Sequence, residues 1–168
     1  SHEPWFSAEI CTTPAGARIT KEEEERLLLY AMSAEAIRAY DCGSLPHPRF
    51  SQQRRLAAYK PTLREVVEAV RIEYPERAEA LRWNIEIKSK PEWDGIRCPP
   101  PEEFARLTIE TIRELGIFDR CTVQSFDPRP LQHARALAPD LKLALVVEND
   151  LSFERNLDRL GFIPEIYS

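Results

Sequence analysis

Apolar residues recur along this chain in two rhythms, and from Pro61 onward the rhythms alternate. Leu63, Val66, Val67 and Val70 fall at helical spacing behind Thr62 and Glu65, which are placed as a capping box. The run Trp83-Asn84-Ile85-Glu86-Ile87-Lys88 then switches to period two, the rhythm of a strand. Pro91 to Pro101 reads as loop, with Pro100 or Pro101 as a first-turn proline. Phe104, Leu107, Thr108, Thr111, Ile112 and Leu115 make one helical face, ended by Gly116. Cys121 to Phe126 reads as a strand, and Leu131, Ala134, Leu137 and Ala138 mark a short helix. Leu143 to Val147 is a continuous apolar strand of the kind covered on both faces. Ser152 caps a last helix over Phe153, Leu157 and Leu160, closed by Gly161, and Ile163 to Tyr167 begins one more strand.

The first third is less regular. Thr12 to Ala17 reads as a turn around Pro14 and Gly16. Thr20 and Glu23 form another capping box before Leu27-Leu28-Leu29, and the Glu22 to Glu25 run reads as a solvated first turn. Ser33 caps a short helix through Tyr40, which Gly43 is expected to end. Ser44 to Lys60, with its scattered basic residues and the Pro46-His47-Pro48 bracket, reads as a long loop of the functional or inserted kind.

Strands alternating with helices predict an α/β fold of right-handed parallel units. Periodicity does not separate an open sheet from a closed barrel. The polar residues help: Glu86 and Lys88, Ser125 and Asp127, and Glu148 all fall at C-terminal strand ends, where such folds bind ligands. On the first predicted strand, Asn84, Glu86 and Lys88 share one face and Trp83, Ile85 and Ile87 the other. An acid and a base on an inward-looking face need pairing, a metal or a ligand; on a solvated edge strand they need nothing.

Composition adds bounds. The 168 residues are 43% hydrophobic and 30% charged, with a net charge of −5. That suffices for one core but falls short of the ~250 residues of a complete eight-fold barrel. The mild acidity and the lack of a Lys/Arg stripe that would offer a phosphate footprint argue against a nucleic-acid partner, and no apolar run is long enough for a transmembrane segment. The four cysteines, at 11, 42, 98 and 121, lack zinc spacing. Free thiols are the default reading, and disulfides stay open because the count is even.

Ser1-His2-Glu3-Pro4, Thr62-Leu63-Arg64-Glu65-Val66, Asn84-Ile85-Glu86-Ile87-Lys88 and Gln124-Ser125-Phe126-Asp127 together resemble the glycerophosphodiester phosphodiesterase family, over essentially the whole chain. The resemblance implies a partial (β/α)8 TIM barrel, residues 1–168, running from the third strand to the start of the seventh, with residues 11–60 an insertion or cap after the third strand. It implies metal-dependent hydrolysis of a small-molecule glycerophosphodiester to glycerol 3-phosphate and an alcohol, with Mg²⁺ or Ca²⁺ as the divalent metal. By the same resemblance His2 matches a catalytic histidine, Glu86 a metal ligand, Lys88 the lysine facing the phosphate, and Ser125 and Phe126 a substrate-facing segment. Glu3 stands where the family usually has Asp. The family's first histidine and its two further acidic ligands have no counterpart here, so the isolated chain is expected to be inactive. The alternatives are another barrel phosphodiesterase of the phospholipase type and a non-catalytic βα binding module. Compartment (periplasmic or secreted against cytoplasmic) and oligomeric state stay open.

Overall fold

The computed structural model describes residues 2–168, so Ser1 of the first motif lies outside the described residues. The chain divides into two compact units, residues 1–65 and 66–168. The expected cap, 11–60, falls within the first.

Short elements carry the first unit. Helix α1, Lys21–Glu24, starts at the predicted capping box: Thr20 accepts from Glu23 N and the Glu23 carboxylate accepts from Thr20 N. It stops after one turn because Leu27 and Leu29 turn to pack against the buried cluster of Phe6, Cys11 and Ile19. Phe6 stacks on Tyr40, with ring centroids 3.9 Å apart. Glu24 corrects the reading of a solvated acidic turn. It is buried, and its carboxylate accepts from Trp5 Nε1 at 2.7 Å, Ala8 N at 3.1 Å and Lys21 Nζ at 2.9 Å. Burial opposes its charge, but those three donors outweigh burial and hold the carboxyl below its usual range. Helix α2, Ala34–Arg38, is capped by Ser33 as expected. Gly43 does not end it. A Cβ at Gly43 would collide with Leu56 O, so this glycine permits a close backbone approach instead.

The cysteine default also needs correction. Thr12 bridges Asp41 in an antiparallel pairing, which sets the neighbouring Cys11 and Cys42 side by side, and they are joined as a disulfide. Cys98 and Cys121 are buried thiols, and burial pushes Cys121 up to about 11.

Helix α3, Leu63–Glu73, begins at the predicted Thr62–Glu65 capping box and is followed by the short α4, Pro75–Ala78. The sheet of the second unit then alternates with helices: β1 (Trp83–Glu86), α5 (Pro101–Glu114), β2 (Cys121–Ser125), α6 (Pro128–Leu137), β3 (Lys142–Leu145), α7 (Phe153–Leu160) and β4 (Ile166–Tyr167). All three pairings are parallel and the spatial order is β1-β2-β3-β4. Each new strand adds on the same side. A doubly wound sheet reverses its order, whereas a barrel advances around its wall, so this order is the barrel progression. Among the described residues the sheet is open.

Register assigns the faces. Glu86 pairs with Gln124 and Gln124 with Ala144, while Ile85, Val123 and Leu143 form the alternate row. Val123 and Leu143 are fully buried with Leu131 and Ile112, and α5 turns Ala105, Thr108, Ile109 and Ile112 inward at helical spacing. The helices therefore cover the Ile85–Val123–Leu143 face. Gly116, at φ 64°, and Gly161, at φ 82°, terminate α5 and α7 in the left-handed conformation that glycine adopts without a steric penalty.

Candidate functional site

The C-terminal end of β1 continues in register past its last formal residue. Ile87 N donates to Gln124 O at 2.8 Å, and Ser125 Oγ donates to Ile87 O at 2.7 Å. With the Ile87 peptide tied on both sides to β2, the flanking Glu86 and Lys88 side chains emerge on the same face. Lys88 Nζ lies 3.3 Å from Glu86 Oε1 and 5.4 Å from the centroid of the Phe126 ring. The lysine and glutamate side chains are 24% and 26% exposed, so this is neither a solvated pair nor a sealed one. Phe126 is half exposed beside them. An ammonium is thus held between a carboxylate and an aromatic face at the mouth of the sheet.

Glu86 has a further property. Its Oε1 is buried and accepts no hydrogen bond. Its charge is compensated by the Lys88 ammonium at 3.3 Å, and a carboxylate oxygen has lone pairs to share with a second cation. One hard oxygen is suitable for Mg²⁺ or Ca²⁺, but those ions take six or more oxygens, ~2.0–2.6 Å away. Among the described residues no group of three or more His, Cys, Asp or Glu side chains is arranged to hold a metal ion. Glu86 fits a metal as a single ligand, and the described residues do not complete its shell.

Three of the predicted residues, Glu86, Lys88 and Phe126, are therefore brought together. Ser125 is not with them. Alternation turns it to the opposite face from Gln124, it is fully buried, and its hydroxyl is used twice, donating to Ile87 O and accepting from Asp127 N at 3.1 Å. His2 belongs to the first unit, its exposed ring 2.9 Å from Glu3 Oε1. Trp93, in the loop after Lys88, is buried; it is the last residue of the turn Pro91–Trp93, and Lys90 Nζ lies 4.8 Å from its ring centroid. Glu148 is exposed past β3.

Sequence reasoning did not identify the network that holds this end of the sheet. Asp127 caps α6 by accepting from Arg129 N at 3.0 Å, and it also accepts from Ser89 Oγ at 2.9 Å. The Arg129 guanidinium spans Asp127, at 2.6 Å, and Asp94, at 2.5 Å. Hydrogen bonds to Asp127 first, then to Asp94, raise the Arg129 pKa above its ordinary value. Ser89 directly follows Lys88, so this network fixes the backbone from which Lys88 projects. Asn84 and Gln124 were also missed as a pair. Asn84 Nδ2 donates to Gln124 Oε1 at 2.8 Å on the Glu86 face, which alternation applied to β2 would have shown.

No family model and no curated protein matches the chain. The solved structures that resemble it include these two. One, from Silicibacter pomeroyi DSS-3 and named as a candidate glycerophosphoryl diester phosphodiesterase, shares 21% identity and a TM-score of 0.78, over 99% of this chain and 58% of that one. The other, a glycerophosphodiester phosphodiesterase from Parabacteroides distasonis ATCC 8503, shares 21% identity with a TM-score of 0.46, over 63% of this chain and 40% of that one. The chain thus spans 58% of the length of the first neighbour. Together with the one-directional parallel sheet, the likeness to that first neighbour establishes the fold: the chain is part of a (β/α)8 barrel with an open sheet.

Proposed function

We propose that this chain is part of a glycerophosphodiester phosphodiesterase, a barrel enzyme that hydrolyses glycerophosphodiesters to glycerol 3-phosphate and an alcohol. The observation that carries the reading is Lys88 Nζ, held by Glu86 Oε1 at 3.3 Å and beside Phe126 at the C-terminal end of a parallel strand. The likeness to a solved structure bearing that activity in its name supports it.

A phosphodiester is a stable anion, so its hydrolysis requires charge neutralisation at phosphorus and proton transfer at the attacking and leaving oxygens. Lys88 supplies a fixed positive charge for a phosphoryl oxygen. Phe126 offers an apolar face for the carbon skeleton of glycerol. Glu86 contributes one oxygen to a divalent cation, Mg²⁺ or Ca²⁺, which when bound would polarise the phosphoryl group. His2 is the proton-transfer group in this reading, because an imidazole ring has nitrogens that can donate and accept a proton. Ser125 and the Asp127–Arg129 network position the strand end. The isolated chain, with a single acidic ligand, is expected not to turn over substrate.

The test is a titration of the isotope-labelled chain with glycerol 3-phosphate, followed by amide chemical shifts. Shifts should concentrate at Glu86, Lys88 and Phe126, and Lys88→Met should weaken binding by about 10- to 100-fold, the worth of one charge-assisted hydrogen bond. Shifts confined to other segments, or an unchanged affinity in Lys88→Met, would refute the assignment. Release of glycerol 3-phosphate from glycerophosphocholine by the isolated chain would refute its expected inactivity.

A further inference from the structure

The first unit projects a basic and aromatic arm that has no part in the proposed chemistry. Every residue from 48 to 59 is exposed, an unbroken run in a unit with its own buried core. The segment from Ser44 to Tyr59 contains Arg49, Arg54 and Arg55 and no Asp or Glu, in a chain whose net charge is −5. It also leaves Phe50, Leu56 and Tyr59 exposed by 54%, 55% and 42%. Phe50 lies between a histidine and an arginine: its ring is 4.7 Å from the ring of His47 and 5.5 Å from the Arg49 guanidinium carbon. An open hollow of about 500 Å³ is lined by Arg49, Phe50, Ser51, Gln52 and Gln53.

The arm is anchored at its base. Cys42 N donates to Ala58 O at 2.6 Å and Leu56 N to Gly43 O at 3.1 Å. The Asp41 carboxylate accepts from Gly43 N, Ser44 N and Ala58 N, joining the outgoing and returning limbs. The Cys11–Cys42 disulfide fastens that base to the core. Anchoring of this kind presents the same residues to the same side.

We infer that residues 44–59 form a docking arm for an anionic phospholipid surface. Guanidinium groups attract acidic headgroups, and interleaved Phe, Leu and Tyr side chains enter the boundary between headgroup and acyl chain. Charge complementarity and the alternation of arginine with large apolar side chains favour this over an acidic protein, where a polar rim without exposed Phe and Leu would serve. The segment has no regular structure, so insertion rests on its side chains rather than on an amphipathic helix.

The test is co-sedimentation of the 168-residue chain with vesicles of phosphatidylglycerol and phosphatidylcholine in equal parts, against pure phosphatidylcholine. Binding is expected to the anionic vesicles alone and to weaken as salt rises through about 0.5 M. The triple change Arg49→Ala, Arg54→Ala, Arg55→Ala should lower the partition about a hundredfold, each cation contributing about fivefold. Phe50→Ser should lower it about tenfold with the charge unchanged. Neutralising Arg26, Arg77 and Arg82 together, an equal change in net charge, should leave it within about twofold. Equal binding to both vesicles, equal loss in the second triple variant, or tighter binding to single-stranded DNA than to anionic vesicles would each overturn the inference.

Discussion

Replacing Arg129 by methionine keeps most of the side-chain stem and removes the guanidinium that joins Asp94 to Asp127. The Asp127 side chain is 7% exposed, and it would lose bonds from Arg129 Nε at 3.0 Å and Nη2 at 2.6 Å. Stranding a buried partner costs about 3–5 kcal/mol. Asp127 would keep two donors, Ser89 Oγ and the backbone N–H of residue 129, so the lower end applies, about 3 kcal/mol. Asp94, at 26% exposure, can recover water, and its lost ion pair adds about 0–1 kcal/mol. The sum is about 3–4 kcal/mol, or a urea midpoint lowered by about 1.5–2 M at a slope near 2 kcal/mol/M. Urea unfolding followed by far-UV circular dichroism measures it, with amide exchange in β2 and α6 as a local readout. Asp127→Asn in the same background should recover part of the loss, giving a coupling of at least about 1.5 kcal/mol. A midpoint within about 0.5 M of the parent, or a double variant whose loss equals the sum of the singles, would refute the reasoning.

Two further outcomes follow from the first unit. The Cys11–Cys42 bond closes a loop of sequence separation 31, so Cys42→Ser should destabilise that unit by about 3–4 kcal/mol, read as earlier melting and faster proteolysis between residues 11 and 60 under non-reducing conditions. Asp41 is held at about 2 by the Ser44 hydroxyl and the N–H groups of Ala58 and Gly43, and Glu65 at about 2 by Thr62 and Arg38. Both lie below their unfolded values near 4, so their contribution is complete above about pH 5 and is lost as pH falls toward 2. Protection of residues 41–65 in amide exchange should fall across that window, and Asp41→Asn should flatten the profile; an unchanged profile would refute the assignment.

The parts of the fold that could be read in advance are those set within a few residues of one another. The capping boxes at Thr20 and Thr62, the Ser152 cap and the Gly116 and Gly161 stops are local chemistry, and each stands where its spacing put it. The packing of the first unit was illegible for the converse reason. Nothing near Glu24 announces that Trp5 will reach across to bond it, or that Leu27 will leave a helix to meet Phe6. The disulfide has the same origin, since the pairing of Thr12 with Asp41 joins segments with no shared pattern.

Alternation along β1 was enough to group Glu86 with Lys88, and the same rule on β2 groups Gln124 with Phe126 and sends Ser125 across the sheet. A family motif names residues without saying which face each occupies; the period-two rule says it at no further cost. The solvated-edge reading of β1 makes a prediction of its own, namely that both charges stand in water with satisfied oxygens. Glu86 Oε1 is instead buried without a hydrogen bond, and both side chains are about three-quarters covered. The Lys88 ammonium at 3.3 Å offsets part of that oxygen's desolvation, so the two charges are held as a part-buried ion pair rather than left in water. A part-buried carboxylate–ammonium pair beside Phe126 is able to meet a cation and an anionic ester, and it is why the charged face of β1, more than the fold, supports the proposed enzymatic reading.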